Sequence, residues 1–122
     1  MKSVAVIGAS NNRKKFGNKA VRAYMQQGYI VYPINPKESK IEGLVAFKNI
    51  RDVPRPLQRV SVYLPPQVVM SVLPDVAAIG CEELWLNPGA DSDEVLAEAN
   101  RLGLNVIQAC SIVDIGVSPG HL

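Results

Sequence analysis

The chain has 122 residues, of which 48% are hydrophobic and 20% are charged, with nine glycines and nine prolines. This composition predicts one folded domain over residues 1–122 and excludes a disordered chain. The longest apolar runs are too short for a transmembrane helix, and the N-terminus leads directly into the first of them, so we expect neither a membrane segment nor a signal peptide. The two cysteines lack metal-ligand spacing, and we expect free thiols, no metal site and a cytoplasmic location.

The formal net charge of +2 conceals a strong asymmetry along the chain. Residues 1–61 contain twelve Lys and Arg and three Asp and Glu, a net charge of +9, whereas residues 62–122 contain one Arg and eight acids, a net charge of −7. Either these charges cluster on solvated faces, or the first half surrounds a polyanion. Nucleic acid is not the expected polyanion, because only 6% of the residues are aromatic and no recognition-helix motif is present.

Five short apolar runs alternate with helical patterns along the chain. The runs predict strands over residues 3–8, 29–34, 59–64, 83–87 and 105–108. The helical patterns cover residues 17–27, 67–79 and 92–102, and each is followed directly by a glycine. Residues 38–58 are irregular apart from a short extended piece at 45–47. The alternation predicts an α/β fold, a Rossmann-like doubly wound parallel sheet with right-handed crossovers, and we expect the strand order 3-2-1-4-5.

The turn after the first strand carries the strongest functional signal. In a doubly wound sheet, ligands bind beyond the carboxyl ends of the strands, next to the first strand. There Gly8 allows a close backbone approach, and the N-terminus of the following helix favours an anion. The turn is not the dinucleotide fingerprint, because Ser10 and Arg13 stand where G-x-G-x-x-G has glycines. It either holds a diphosphate, through Ser10, Asn11 and the following N–H groups, or is a plain tight turn before a helix.

The loops after the second and third strands meet the same edge of the predicted sheet. NAD-binding domains place an acid at the end of the second strand, but the sequence here has no acid before Glu38. Lys37 instead favours a phosphate on the ribose, as in NADP or coenzyme A, unless it is simply a surface lysine. The third loop, residues 64–66, either presents an apolar edge to an adenine or a pantetheine arm, or merely starts a helix at Pro66.

Four segments together resemble the coenzyme A-binding domain family, which includes the first domain of the succinyl-CoA synthetase alpha subunit and of ADP-forming acyl-CoA synthetases. They are residues 4–10, 31–37, 61–66 and 83–90, and the resemblance runs in order from residue 3 to about residue 115. It implies coenzyme A or an acyl-CoA at the carboxyl edge of the sheet. The implied phosphate-facing residues are Gly8, Ala9, Ser10, Asn11, Arg13, Lys15 and Phe16. Those implied for the adenosine end are Asn35, Pro36 and Lys37, with Lys37 near its phosphate, and those for the nucleotide or pantetheine are Leu64, Pro65 and Pro66.

No set of residues forms an acid–base pair or a nucleophile triad. The ligases that the chain resembles carry a phosphorylated histidine in a second domain, whereas the single histidine here, His121, is next to the C-terminus. We therefore expect a non-catalytic coenzyme A-binding protein that acts as a sensor, carrier or subunit, as a homodimer or with a partner enzyme subunit. The alternative is an NADP-binding reductase or cofactor module. Cys110 follows the last strand on the same rim and is either buried, which we favour, or available for a mixed disulfide with coenzyme A.

Overall fold

A five-stranded parallel sheet forms the centre of the structure, a computed structural model that describes residues 2–122. The chain also forms a small antiparallel hairpin, and seven strands are present among the described residues. They are β1 (Ser3–Ile7), β2 (Ile30–Ile34), β3 (Lys40–Ile41), β4 (Leu44–Val45), β5 (Arg59–Val62), β6 (Glu83–Leu86) and β7 (Val106–Gln108). The large sheet has the order β2-β1-β5-β6-β7, and β3 pairs with β4 in the hairpin.

Helices cover both faces of the sheet. They are α1 (Phe16–Gln26), α2 (Pro66–Ile79), α3 (Asp93–Arg101) and the short α4 (Ser111–Asp114). α1 and α4 share one core with Val4 and Val6, and α2 and α3 share the other with Ala5 and Ile7. Because β1 lies inside a sheet covered on both sides, all five of its residues are buried, as the apolar run over residues 4–7 predicts. The predicted fold class is confirmed, and the three predicted helices match α1, α2 and α3 to within one residue at each end.

The predicted strand order is wrong. Counting only the strands of the large sheet along the chain, the order is 2-1-3-4-5, because β5 pairs with β1 on the side opposite to β2. The free edge of β2 is instead occupied near its end by Phe47, whose N–H donates to the carbonyl of Pro33 (2.8 Å) and whose carbonyl accepts from the N–H of Asn35 (2.9 Å). The connection from β2 to β5 therefore crosses back over β1 to reach the vacant side.

This order places a switch point between β1 and β5. β1 continues through α1 to β2 on one side, and β5 continues through α2 to β6 on the other, so the loops that leave β1 and β5 diverge. A crevice opens where two such loops part at the carboxyl ends of the strands. Within residues 2–122, no helix combines the length and the apolar character needed to cross a bilayer.

Candidate functional site

A cavity of about 1070 Å³ opens at the carboxyl ends of β1 and β5. Its size slightly exceeds the ~300–1,000 Å³ that small-molecule sites usually occupy. Ten of the thirteen residues predicted from the sequence line it together: Gly8, Ala9, Ser10, Lys15, Phe16, Asn35, Pro36, Leu64, Pro65 and Pro66. The structure thus brings the three predicted loops around a single cavity. Asn11, Arg13 and Lys37 do not lie on its wall.

Two glycines let the backbone close in around the centre of the cavity. Gly8 has φ +87°, and an added Cβ would overlap the carbonyl of Tyr63. Gly17, in the first turn of α1, lies so close to β1 that an added Cβ would overlap the carbonyl of Gly8 and lie 2.9 Å from its carbon. Any side chain at position 17 would therefore push the start of α1 away from the strand. Sequence reasoning singled out Gly8 but assigned no function to Gly17.

The start of α1 is electrostatically suited to an anion. Lys15 precedes the helix in an extended conformation, no described side chain caps the helix, and its first turn contains no acid. The backbone N–H groups and the helix dipole therefore present uncompensated positive charge at the cavity wall. Lys15 and Lys48 add two ammonium groups to the wall, and among the described residues no Asp or Glu lines it.

Asn11 and Arg13 stabilise the loop before α1 and do not line the cavity. The Asn11 amide donates to the carbonyl of Lys40 (2.9 Å), and the Arg13 guanidinium lies 3.6 Å from the carboxylate of Glu42. Both contacts tie the loop to the β3–β4 hairpin, which sequence reasoning did not predict. The Ser10 hydroxyl, which does face the cavity, accepts the N–H of Asn12 (3.0 Å) and so shapes the turn.

Asn35 joins the loops that follow β1 and β2. Its amide nitrogen donates to the carbonyl of Ala9 (2.9 Å), and its amide oxygen accepts the N–H groups of Lys37 (2.7 Å) and Glu38 (3.0 Å). The Asn35 side chain is thus committed to the turn, which directs the Lys37 side chain into solvent. The cation on this part of the wall is Lys48, which follows Phe47 at the edge of β2.

A buried polar network supports the other side of the cavity, after β6 and β7. The Asn87 amide nitrogen donates to the hydroxyl of Ser61 (2.9 Å) and to the carbonyl of Val62 (3.0 Å), and its oxygen accepts the N–H of Ser111 (2.9 Å). The Ser111 hydroxyl lies 2.7 Å from that of Ser61 and 3.2 Å from that of Tyr63. Burial raises the pKa of Tyr63 to about 12, so its phenol is protonated at neutral pH.

The wall beside this network was predicted only in part: Cys110 was expected on this rim, but residues 87–90 were missed as site residues although residues 83–90 carried part of the resemblance. It comprises Tyr63, residues 87–90 and Cys110. The available signal was an Asn-Pro-Gly sequence directly after a buried strand, which is a turn at the carboxyl edge of the sheet. The complete wall offers a helix N-terminus and two ammonium groups for an anion, together with apolar side chains from α2 and the loops. Such an arrangement can bind an anionic, partly apolar ligand.

Comparison with known proteins identifies the family of this chain. The family described as CoA binding domain matches residues 2–116. The alpha subunit of ADP-forming acetate–CoA ligase II from Pyrococcus furiosus is 33% identical over 117 residues, which cover 87% of this chain and 26% of that protein. The chain thus spans about a quarter of the length of this relative.

Solved structures show the same fold. A conserved hypothetical protein from Pyrococcus furiosus superposes with a TM-score of 0.86 at 29% identity, over 93% of this chain and 99% of that one. A dinucleotide-forming acetyl-coenzyme A synthetase from Ca. Korarchaeum cryptofilum gives 0.77 at 25% identity, over 88% of this chain and 25% of that one. This chain belongs to the CoA-binding domain family and is related to the CoA-binding domain of ADP-forming acetate–CoA ligase alpha subunits.

Proposed function

We propose that this chain binds coenzyme A or an acyl-CoA in the cavity at the carboxyl edge of the sheet and catalyses no reaction by itself. One observation carries the proposal: a single cavity combines the uncapped start of α1, two lysines without a described carboxylate, and an apolar wall. Coenzyme A has the matching chemistry, because its phosphates are anionic whereas its adenine and pantetheine are not. The family to which the chain belongs supports the same ligand.

In this proposal the diphosphate lies against the loop between Gly8 and Ser10, at the start of α1 and near Lys15. The adenosine lies along Asn35 and Pro36, and Pro65 and Pro66 border the nucleotide or the pantetheine. Lys48 is the better candidate for the ribose phosphate, because Lys48 lines the cavity and Lys37 does not. No observation favours the NADP-binding alternative.

Calorimetric titrations with coenzyme A, 3′-dephospho-coenzyme A and NADPH test the proposal. We expect coenzyme A to bind about tenfold more tightly than its dephospho form, the size of one charge-assisted hydrogen bond. Lys48→Ala should abolish this preference, and Lys37→Ala should keep it. If Lys37→Ala alone abolishes it, the phosphate assignment is wrong. If coenzyme A fails to bind at about 1 mM, or NADPH binds more tightly, the proposed function is rejected.

The role of Lys15 has a control in the same loop. Lys15→Ala should weaken coenzyme A binding about tenfold, because it removes a cation from the wall beside the proposed diphosphate. Lys14→Ala removes the same charge one residue away, where the side chain is exposed and off the wall, and should change the affinity less than threefold. Equal losses in the two variants would mean that only the general positive field matters.

We further propose that any reaction of a bound thioester requires a partner chain. Among the described residues, no His, Asp or Glu lines the cavity, and the Asn87 amide is already engaged in hydrogen bonds. Acetyl-CoA incubated with the purified protein should therefore release no thiol beyond the rate in buffer. Release that requires only this chain would contradict the non-catalytic part of the proposal.

A further inference from the structure

The residues that line the cavity form two groups, which we call arms, one on each side of β1. The basic arm consists of Ile34, Asn35, Pro36 and Lys48, beside the carboxyl end of β2. The neutral arm consists of Tyr63, Asn87, Pro88, Gly89, Ala90 and Cys110, after β5, β6 and β7. Adjacent strands are ~4.8 Å apart, so the four intervals between β2 and β7 separate the far ends of the arms by about 19 Å.

We propose that the neutral arm receives the acyl group of a bound acyl-CoA, and that this protein selects thioesters with an uncharged acyl group over those that carry a free carboxylate. The inference rests on the proposed function, since it concerns the orientation of the same ligand. It adds a ligand class: acetyl-CoA and butyryl-CoA qualify, whereas succinyl-CoA does not.

The orientation follows from the position of the cations. With the diphosphate at the start of α1, the two ends of coenzyme A extend in opposite directions along the cavity. The adenosine end carries a further phosphate, and the pantetheine end carries no charge. Lys48 is in the basic arm, and no Lys or Arg lies on the described wall of the neutral arm. The adenosine therefore occupies the basic arm, and the pantetheine extends into the neutral arm.

Among the described residues, no Lys or Arg side chain lines the neutral arm to compensate a carboxylate. The polar atoms of Asn87 are already bonded to Ser61, Val62 and Ser111. An unpaired carboxylate removed from water there would lose its hydration without gaining a counter-charge. Pro88 and Ala90 present apolar surface instead.

The surroundings of the neutral arm disfavour an anion as well. Asp91 directly follows Ala90 and accepts a hydrogen bond from Gln108 (3.0 Å), so a carboxylate already lies next to this arm. The nearby cation is Lys19, which is not on the wall. Its ammonium donates to the carbonyl of Pro119 (3.3 Å) and lies 5.2 Å from the centre of the Phe16 ring.

Calorimetry with coenzyme A, acetyl-CoA, butyryl-CoA and succinyl-CoA at about 0.15 M salt tests the inference, because surface charges are then largely screened. Butyryl-CoA should bind at least as tightly as coenzyme A, and succinyl-CoA at least tenfold more weakly than butyryl-CoA. If succinyl-CoA binds within twofold of butyryl-CoA while coenzyme A binds, the inference alone is overturned. If coenzyme A itself does not bind, the proposed function falls, and the inference falls with it.

A charge placed in the neutral arm should reverse the preference. Cys110→Lys should improve succinyl-CoA binding at least tenfold relative to butyryl-CoA. Val113→Lys adds the same charge three residues away, on an exposed side chain off the wall, and should change this ratio less than twofold. Equal effects of the two variants would overturn the assignment of the acyl group to this arm. If Cys110→Lys does not fold, Pro88→Lys, at an exposed position of the same arm, makes the same comparison.

Discussion

Replacing Gly17 with alanine tests the packing that creates the cavity. The new Cβ would overlap the Gly8 carbonyl oxygen and lie 2.9 Å from its carbon, where ordinary contact begins at 3.4 Å. α1 cannot retreat freely, because Ala20, Val21 and Tyr24 are fully buried beneath it. Overpacking of this kind costs ~2–3 kcal/mol. The higher helix propensity of alanine returns at most ~1 kcal/mol, so we expect a net loss of about 1–2 kcal/mol.

At roughly 4 °C for each kcal/mol, Gly17→Ala should lower the melting temperature by about 4–8 °C. It should also weaken coenzyme A binding several-fold, because the N–H groups at the start of α1 move away from the wall. Differential scanning fluorimetry and calorimetry measure the two effects. Gly120→Ala is the control, because Gly120 has a negative-φ backbone and only one neighbouring atom, at 4.0 Å, and it should stay within about 0.5 kcal/mol of the parent. If Gly17→Ala melts and binds like the parent, the close approach of α1 to β1 is refuted.

Two further variants address groups at and away from the cavity. Asn87→Ala leaves the hydroxyl of Ser61 and the N–H of Ser111 without their buried amide partner, so urea denaturation should show a loss of about 2–3 kcal/mol. Asn105→Ala, an exposed amide, should cost under about 1 kcal/mol, and equal losses would contradict the role of the network. Burial raises the pKa of the Cys81 thiol from 9 to about 11, so between these values the unfolded chain releases a proton that the folded chain retains. The free energy of unfolding should therefore fall as the pH rises from 9 toward 11. Urea denaturation at pH 8, 9 and 10 measures this dependence, and Cys81→Ala should make it weaker. If the dependence is unchanged in Cys81→Ala, other groups cause it.

The sequence predicted the structure best where a local residue pattern also determines the place of an element in the fold. The apolar residues of β1 and the glycine after them predict a buried strand and a tight turn, and both are present. The strand order was not predictable in the same way. It depends on which side of β1 the chain reaches after the long connection from β2 to β5, and on Phe47 occupying the edge of β2.

The individual side chains of the site were harder to predict than its position. Lys37 follows the second strand in the expected place, but the hydrogen bonds of Asn35 turn the chain so that this side chain faces solvent. Lys48 reaches the wall through a tertiary contact that leaves no periodic signal. Asn87 was predicted only as the last residue of a strand, and the structure shows that its amide joins β5 and α4 at the end of β6.

The way Phe47 lies along β2 also affects how copies of the chain can associate. A free strand edge invites pairing with another chain, which leads to continuous intermolecular sheets and aggregation. Here the backbone N–H of Phe47 donates to the carbonyl of Pro33, and the carbonyl of Phe47 accepts from the N–H of Asn35. Pro33 itself has no N–H. The opposite edge, β7, is only three residues long. A homodimer built by joining two sheets at β2 would first have to displace this segment, so copies of the chain that meet at β2 encounter a blocked edge.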